Sequence, residues 1–331
     1  MEWTPPPPFP FPCYDHATLT DLLDQNQLTW KYYGRSQNNL WEAPTVINHI
    51  CQPGNGTPGL ICQSNEWNAN VGAYLPGPPP NAAPILTDIE NCNLPAVSWV
   101  IPDRTWSDHG GFNSDFKGPA WVAAIVNAVG GVPLANNPCP SGEVYWNDTV
   151  VLVVWDDWGG YYDHVLPWGC LANGVCNGYS NGTGSQYVYG FRVPLLVVSA
   201  YAKPGYISGP CGQPGQTKCP NTNPPYVHDF GSILNFIEWA LGQNQQFLHF
   251  TGQLSGTGIS PSYPYADVLA PDYNPNDPKS YSLSDFFDFT TKHAFQFISL
   301  PPGYTQYTAS WFENFNGTPT DPDDDAIDSE N

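Results

Sequence analysis

The stretch TVVLVVWDDWGGYYDH, residues 149–164, decides how this chain is read. Thr149 to Trp155 encloses five consecutive β-branched or leucine residues, Val150 to Val154, and the absence of polar alternation is the pattern of a strand covered on both faces. The run ends in Asp156, Asp157, Trp158, Gly159, Gly160, Tyr161, Tyr162, Asp163 and His164. In open α/β sheets ligands bind beyond the carboxyl ends of the strands, so a polar cluster at this place is where chemistry is expected. Adjacent carboxylates repel each other unless a cation or hydrogen bonds compensate. Asp156-Asp157 followed by two glycines therefore reads either as a hard-metal site or as a helix cap beside a solvated acid.

Outward from this stretch, Ala96 to Ile101 is a second apolar run, ended by Pro102 and leading through Asp103 and Arg104 into Ser107, Asp108, His109, Gly110 and Gly111. His109 and His164 are two of seven histidines, and both sit among Gly and Asp instead of in an apolar stripe. A lone loop histidine reads as a surface residue, but two of them beside acids at neighbouring strand ends shift that balance towards a site. Val193 to Ser199 is a third buried strand, and Leu28 to Tyr33, rich in Thr, Trp and Tyr, is another. Helices are expected over Thr18–Asp24, Ile85–Asn91, Gly118–Val129 and Gly231–Leu241. The third has Pro119 in its first turn, a stripe of Trp121, Val122, Ile125, Val126 and Val129, and a Gly130-Gly131 stop. The fourth is capped by Asp229 and turns Ile233, Phe236, Ile237, Ala240 and Leu241 inward. Residues 52–84 and 251–279 read as loop. Apolar strands alternating with helices make an α/β sheet covered on both faces.

The chain carries 9 Lys+Arg against 30 Asp+Glu, a formal charge of −21, so its field repels nucleic acid and anionic membrane, and phosphate chemistry on it would need a metal cation. No run approaches a membrane span, and no amphipathic stretch offers a stable membrane anchor. Gly and Pro are abundant (31 and 37), yet 41% of residues are hydrophobic, as in a loop-rich globular protein. A Pro-rich lead (1–12) precedes a single domain (13–300) and an acidic tail (301–331). Of nine cysteines, Cys51/Cys62, Cys170/Cys176 and Cys211/Cys219 lie close together in loops and read as local disulfides, their spacing being wrong for a zinc knuckle. Cys13, Cys92 and Cys139 remain, and the odd total implies a free thiol or a partner elsewhere. With sequons at Asn55, Asn147, Asn181 and Asn316, this cysteine usage points to a secreted or extracytoplasmic protein.

The run VLVVWDDWGGYYDHV from Val151 resembles the signature of the phosphoesterase family of bacterial acid phosphatases and non-specific phospholipases C, within the alkaline-phosphatase-like superfamily. Family-like stretches recur in order: TLTDLLDQNQLTWKYY from Thr18, LPAVSWVIPD from Leu94, SDHGG from Ser107, GPAWVAAIVNAVG from Gly118, YGFRVPLLVVSAYAKPGYIS from Tyr189, HDFGSILNFIEWALG from His228 and LSDFFDF from Leu283. The resemblance implies a three-layer αβα fold and metal-assisted hydrolysis of a phosphoester, either a small phosphomonoester or a phospholipid headgroup. It implies that Asp156 and Asp157 bind a divalent metal ion. His109 matches a histidine that contacts the phosphoryl group or protonates the leaving group, and His164 stands with it as a catalytic candidate. Asp163, Asp108 and His228 match supporting positions behind them.

Members of the family begin with a strand and an E-N-R-S/T-F-D-like motif whose Glu-Asn pair supplies further metal ligands, followed by the region of the Ser or Thr nucleophile. This chain begins after both. Glu90-Asn91 and Glu313-Asn314-Phe315 are the only similar strings, and neither lies in the right context. The expectation is thus an N-terminally incomplete fold, either the C-terminal, metal-binding portion of a phosphoesterase whose N-terminal segment is missing, or an inactive homologue. The contrasting expectation is a non-catalytic secreted glycoprotein that keeps the scaffold for binding.

Overall fold

The computed structural model describes residues 15–34, 42–52, 62–71, 84–102, 106–109, 117–131, 145–165, 167, 189–208, 228–243, 246–254, 259, 261, 266–274, 276 and 281–303. The first element is set by a reciprocal cap. Thr18 accepts the Asp21 N–H through its hydroxyl while the Asp21 carboxylate accepts the Thr18 N–H at 2.7 Å, which satisfies two orphan donors and starts α1 (Leu19–Gln25). The chain then turns into β1 (Trp30–Tyr33) and continues through the short α2 (Asn48–Cys51). Next come α3 (Asn65–Asn70), started by Ser64 accepting the Trp67 N–H at 2.8 Å, and α4 (Pro84–Glu90). After β2 (Val97–Val100) follow α5 (Lys117–Val129), β3 (Val150–Val154), β4 (Leu195–Ser199), α6 (Phe230–Leu241) and α7 (Ala266–Leu269).

β1 and β2 pair in parallel from Trp30↔Val97 to Tyr33↔Val100. Alternation splits their side chains between two clusters. Trp30, Tyr32, Val97 and Trp99 pack with Leu22 and Leu23 of α1 and with Cys51, Cys62 and Trp67; Tyr33 and Val100 pack with Ile85, Leu86 and Ile89 of α4 and with Trp121 and Val129 of α5. β3 and β4 form a separate antiparallel pair from Val150↔Ser199 to Val154↔Leu195. Val150, Leu152, Leu195 and Val197 cover Phe236 of α6 together with Leu283 and Phe287. The segment after β4 is tied to the C-terminal stretch by an Ala202↔Phe287 bridge and by Lys203 N–H to Phe286 O at 2.8 Å.

The expected three-layer, alkaline-phosphatase-like αβα sheet is not what forms. Among the described residues there are two two-stranded sheets, with more residues in helix than in strand. Helices do cover both faces of the β1–β2 pair, but a doubly wound sheet needs successive parallel neighbours, and β3 and β4 run in opposite directions. Their apolar runs also misled as to burial, since Val154 and Leu196 are 37% and 51% exposed. Smaller departures follow the same logic. α5 is buried almost all round, with Val122 and Ile125 on its more open side, and in α6 Ala240 faces outward while Asn235 and Glu238 are buried. The expected loops contain α3 and α7, and no helix among the described residues is long and apolar enough to cross a membrane.

Cys51 and Cys62 are bonded as expected, and Cys92 is disulfide-bonded as well. Cys170, Cys176, Cys211 and Cys219 lie outside the described residues, as do Asn55, Asn181 and Asn316, whereas Asn147 is exposed at the end of a 3₁₀ turn. The Cys51–Cys62 bond closes a loop of sequence separation 11, sealing the cluster of Trp30, Trp67 and Ile50. Cys51→Ser/Cys62→Ser is expected to lower unfolding stability by about 3 kcal/mol, the value of chain entropy for a loop of that length. Urea titration checks this, and an unchanged midpoint would mean that the loop is held by packing alone.

Candidate functional site

The loop after β3 is built as a projecting turn. Gly159 and Gly160 take φ of 63° and 74°, which only glycine adopts without strain, and a Cβ on Gly160 would meet nothing within 4 Å. Asp156 and Asp157 are both exposed, and their carboxylates accept local backbone N–H groups, Asp157 N at 3.1 Å and Gly159 N at 2.5 Å. The base of the loop is fixed by Asp163, which accepts two hydrogen bonds from Arg192 at 2.7 and 2.9 Å and one from Val165 N at 3.1 Å. The guanidinium holds the Asp163 carboxyl well below the usual range. Trp158 and Tyr162 pack edge-on against Phe191, at 6.2 and 5.7 Å between ring centroids.

The remaining expected residues are placed apart in role. The His164 side chain is 85% exposed, with Nδ1 3.4 Å from Asp163. His109 is half-buried and donates its backbone N–H to Ser107 Oγ at 3.0 Å, while Asp108 lies against the first turn of α5, where a Cβ on Gly118 would come within 2.5 Å of its carboxylate. Among the described residues no three His, Cys, Asp or Glu side chains converge to hold a metal ion. Two open carboxylates engaged with their own backbone do not by themselves fit a hard divalent cation such as Mg²⁺ or Ca²⁺, which takes six or more oxygen ligands.

The structure concentrates its polar groups elsewhere, around His228. This residue precedes the capping box of α6, in which Asp229 accepts the Ser232 N–H at 3.1 Å and is itself held by the Tyr189 hydroxyl at 2.8 Å. His228 Nδ1 donates to Asp272 Oδ2 at 2.8 Å, and Nε2 lies 2.8 Å from Ser208 Oγ and 3.2 Å from Asp285. Ser208 Oγ donates to Asp285 Oδ2 at 2.6 Å, and the Tyr206 hydroxyl donates to the same oxygen at 3.0 Å. Asp272 also accepts from Ser232 Oγ at 2.7 Å and from the Leu283 N–H at 2.8 Å. Leu283, fully buried, holds φ of 61°, an uncommon left-handed conformation that turns the chain so that Asp285 faces Ser208. His228 was expected only as a supporting residue; Ser208 and Asp285 fall inside the family-like stretches but drew no site assignment, nor did Asp272, because the contacts that join them span 20 to 77 residues.

The geometry fixes the protons. Nδ1 faces a carboxylate and must carry a hydrogen; Ser208 has spent its own on Asp285, so Nε2 must carry one too. Burial alone would depress the imidazole, but hydrogen bonds to Asp272 and Asp285 outweigh it and raise His228 to about 9. His49 repeats the pattern between Asp15 at 2.8 Å and Asp21 at 3.0 Å, and those bonds outweigh its burial to raise it to about 9.

Both folded values lie above the ordinary 6.5, so the stabilisation is complete below that pH and is lost as pH rises through about 9, at most about 3 kcal/mol for each imidazole. The urea midpoint of a His49→Gln/His228→Gln variant should fall less than that of wild type between pH 6 and pH 10. Equal falls would show that neither imidazole is charged.

The sequence profile of the Phosphoesterase family matches residues 4–242. The chain is 22% identical over 247 residues to the non-hemolytic phospholipase C of Pseudomonas aeruginosa, an alignment covering 69% of this chain and 30% of that protein. It is 26% identical over 255 residues to the non-hemolytic phospholipase C of Burkholderia pseudomallei (68% and 32%). Against phospholipase C B of Mycobacterium tuberculosis the identity is 28% over 205 residues (59% and 36%), so the chain spans about a third of the length of these curated relatives. Because the family profile covers well over half of the 331 residues, the chain belongs to the phosphoesterase family.

Proposed function

We propose that this chain carries phosphoester hydrolase activity of the phospholipase C type, cleaving the phosphodiester of a zwitterionic lipid headgroup. The observation that carries this reading is the continuous family match through the Asp156–His164 loop, together with relatives that are phospholipases C. Charge supports the choice of headgroup, since a chain of net −21 repels anionic lipid but accepts a headgroup bearing an ammonium beside its phosphate. The exposed Asp156 and Asp157, with Trp158 and Tyr162 beside them, offer carboxylates and ring faces to such a cation. His109 and His164 remain the proton-transfer candidates of this loop region, and Asp163 is the residue that holds its base. An extracytoplasmic location is part of the proposal, supported by the disulfides at Cys51–Cys62 and at Cys92.

The test compares p-nitrophenylphosphorylcholine with p-nitrophenyl phosphate, each assayed after chelation and with Mg²⁺, Mn²⁺ or Ca²⁺ restored singly. The diester is expected to be turned over faster than the monoester, and Asp156→Asn/Asp157→Asn to lose roughly 100-fold. A folded protein that hydrolyses neither substrate would sink the proposal in favour of a non-catalytic scaffold.

A further inference from the structure

We infer that the part of the molecule around the loop after β3 is a docking surface for a zwitterionic lipid bilayer, entered reversibly by Tyr161, Tyr162 and Ile207. The inference deepens the phospholipase reading above and rests on it for the choice of headgroup. Among the described residues these three are the most exposed of the large hydrophobic side chains, at 66%, 82% and 76%. Trp158, Leu196 and Phe230 are also open, at 43%, 51% and 49%. Contacts gather them around the end of β3. Leu196 pairs with Val153, and Trp158 and Tyr162 pack on Phe191, just before β4 begins. The Tyr189 hydroxyl bonds Asp229, next to Phe230, and the Oγ of Ser208, next to Ile207, lies 2.8 Å from His228. Exposed hydrophobic residues scattered singly need no explanation, but a gathering of them marks a contact surface.

Shape and charge select a bilayer over a rigid partner. The tip is convex: Gly159 and Gly160 turn the chain outward at positive φ, and a Cβ on Gly160 would meet nothing within 4 Å. A stable protein partner needs roughly 800 Å² of complementary surface on each side, whereas a fluid headgroup layer closes around a projecting tip. Tyrosine and tryptophan suit that layer, because the ring is apolar while the hydroxyl or indole N–H stays at the level of the headgroups. Asp156 and Asp157 flank the rings, both exposed, and set the sign of the surface that can approach. With a net charge of −21 behind them they repel anionic lipid, and they meet the outer ammonium of a zwitterionic headgroup. Attachment through a few side chains is reversible. It also brings the Asp156–His164 loop to the plane in which the proposed substrate lies.

The experiment sediments the full chain with phosphatidylcholine vesicles and with vesicles in which half the lipid is phosphatidylglycerol, a chelator being present so that binding is read apart from turnover. Wild type is expected to sediment with the phosphatidylcholine vesicles and less with the mixed ones, the difference shrinking as salt screens the repulsion. Tyr161→Ser/Ile207→Ser is expected to bind the phosphatidylcholine vesicles about tenfold or more weakly. Its urea midpoint should stay at the wild-type value, because both side chains are largely exposed, and Tyr161→Trp/Ile207→Leu should keep the binding. Serine variants that bind as wild type does, or tighter binding to the anionic vesicles, overturn the docking surface. So does a chain that ignores vesicles and forms dimers dispersed by the same substitutions, which makes the patch an interface between copies. Absence of docking with p-nitrophenylphosphorylcholine still turned over leaves the phospholipase reading standing. Docking by a chain that turns over no phosphoester removes that reading and keeps the surface.

Discussion

Thirty acidic side chains against nine lysines and arginines mean that most carboxylates in this chain have no strong base to face, and the fold is arranged around that shortage. Two aspartates brought together away from water repel each other too strongly to remain side by side unaided. The structure answers in two ways. At His49 and at His228 it inserts an imidazole between a pair of aspartates, so that a histidine serves as an internal cation. At Glu238, against Asp267 between α6 and α7, it withholds a charge instead: burial, then the neighbouring Asp267, pushes Glu238 up to about 9, burial raises Asp267 although its hydrogen bond with Glu238 opposes the shift, and the pair shares a proton.

These devices also set the connectivity. His228 joins the start of α6 to the turn at Asp272 and to the Ser284–Phe286 turn, segments that packing by Phe236, Leu283 and Phe287 brings near but does not orient. His49 does the same for α1 and α2, next to the Cys51–Cys62 bond. Apolar clusters supply the larger share of burial in both places, and the charged hydrogen bonds decide which arrangement of those clusters is kept, because removing one partner would leave a buried carboxylate uncompensated.

This explains what could be read in the sequence. Caps and periodicity are local, so Asp229 as the start of α6, the helices near Thr18, Ile85 and Gly118, and the four strands among the described residues were legible within two residues or so. Strand direction and partnership were not, because an apolar run such as Val150–Val154 looks alike whether its neighbour is parallel or antiparallel, and whether or not its last residue stays exposed. The Asp156–His164 loop stood out because glycines and acids cluster within a few residues. Ser208, Asp272 and Asp285 drew no site assignment from their own neighbourhoods, and they meet where the Ala202↔Phe287 pairing and the left-handed turn at Leu283 bring their segments together.

The same constraint orders the response to pH. The imidazoles of His49 and His228 and the carboxyl of Glu238 all hold protons more tightly in the fold than in the open chain. Each therefore gives up stability as pH rises, the histidines from about 6.5 upward and Glu238 from the ordinary carboxyl range onward. Asp272 and Asp285 act in the opposite sense. Burial would raise them, but hydrogen bonds from His228, Ser232 and Ser208 outweigh it and lower both, Asp285 to about 2, so their contribution is lost only in strong acid. Between these limits lies mildly acidic solution, where the carboxylates of the His228 cluster are ionised, its imidazole is charged and the Glu238–Asp267 pair keeps its proton.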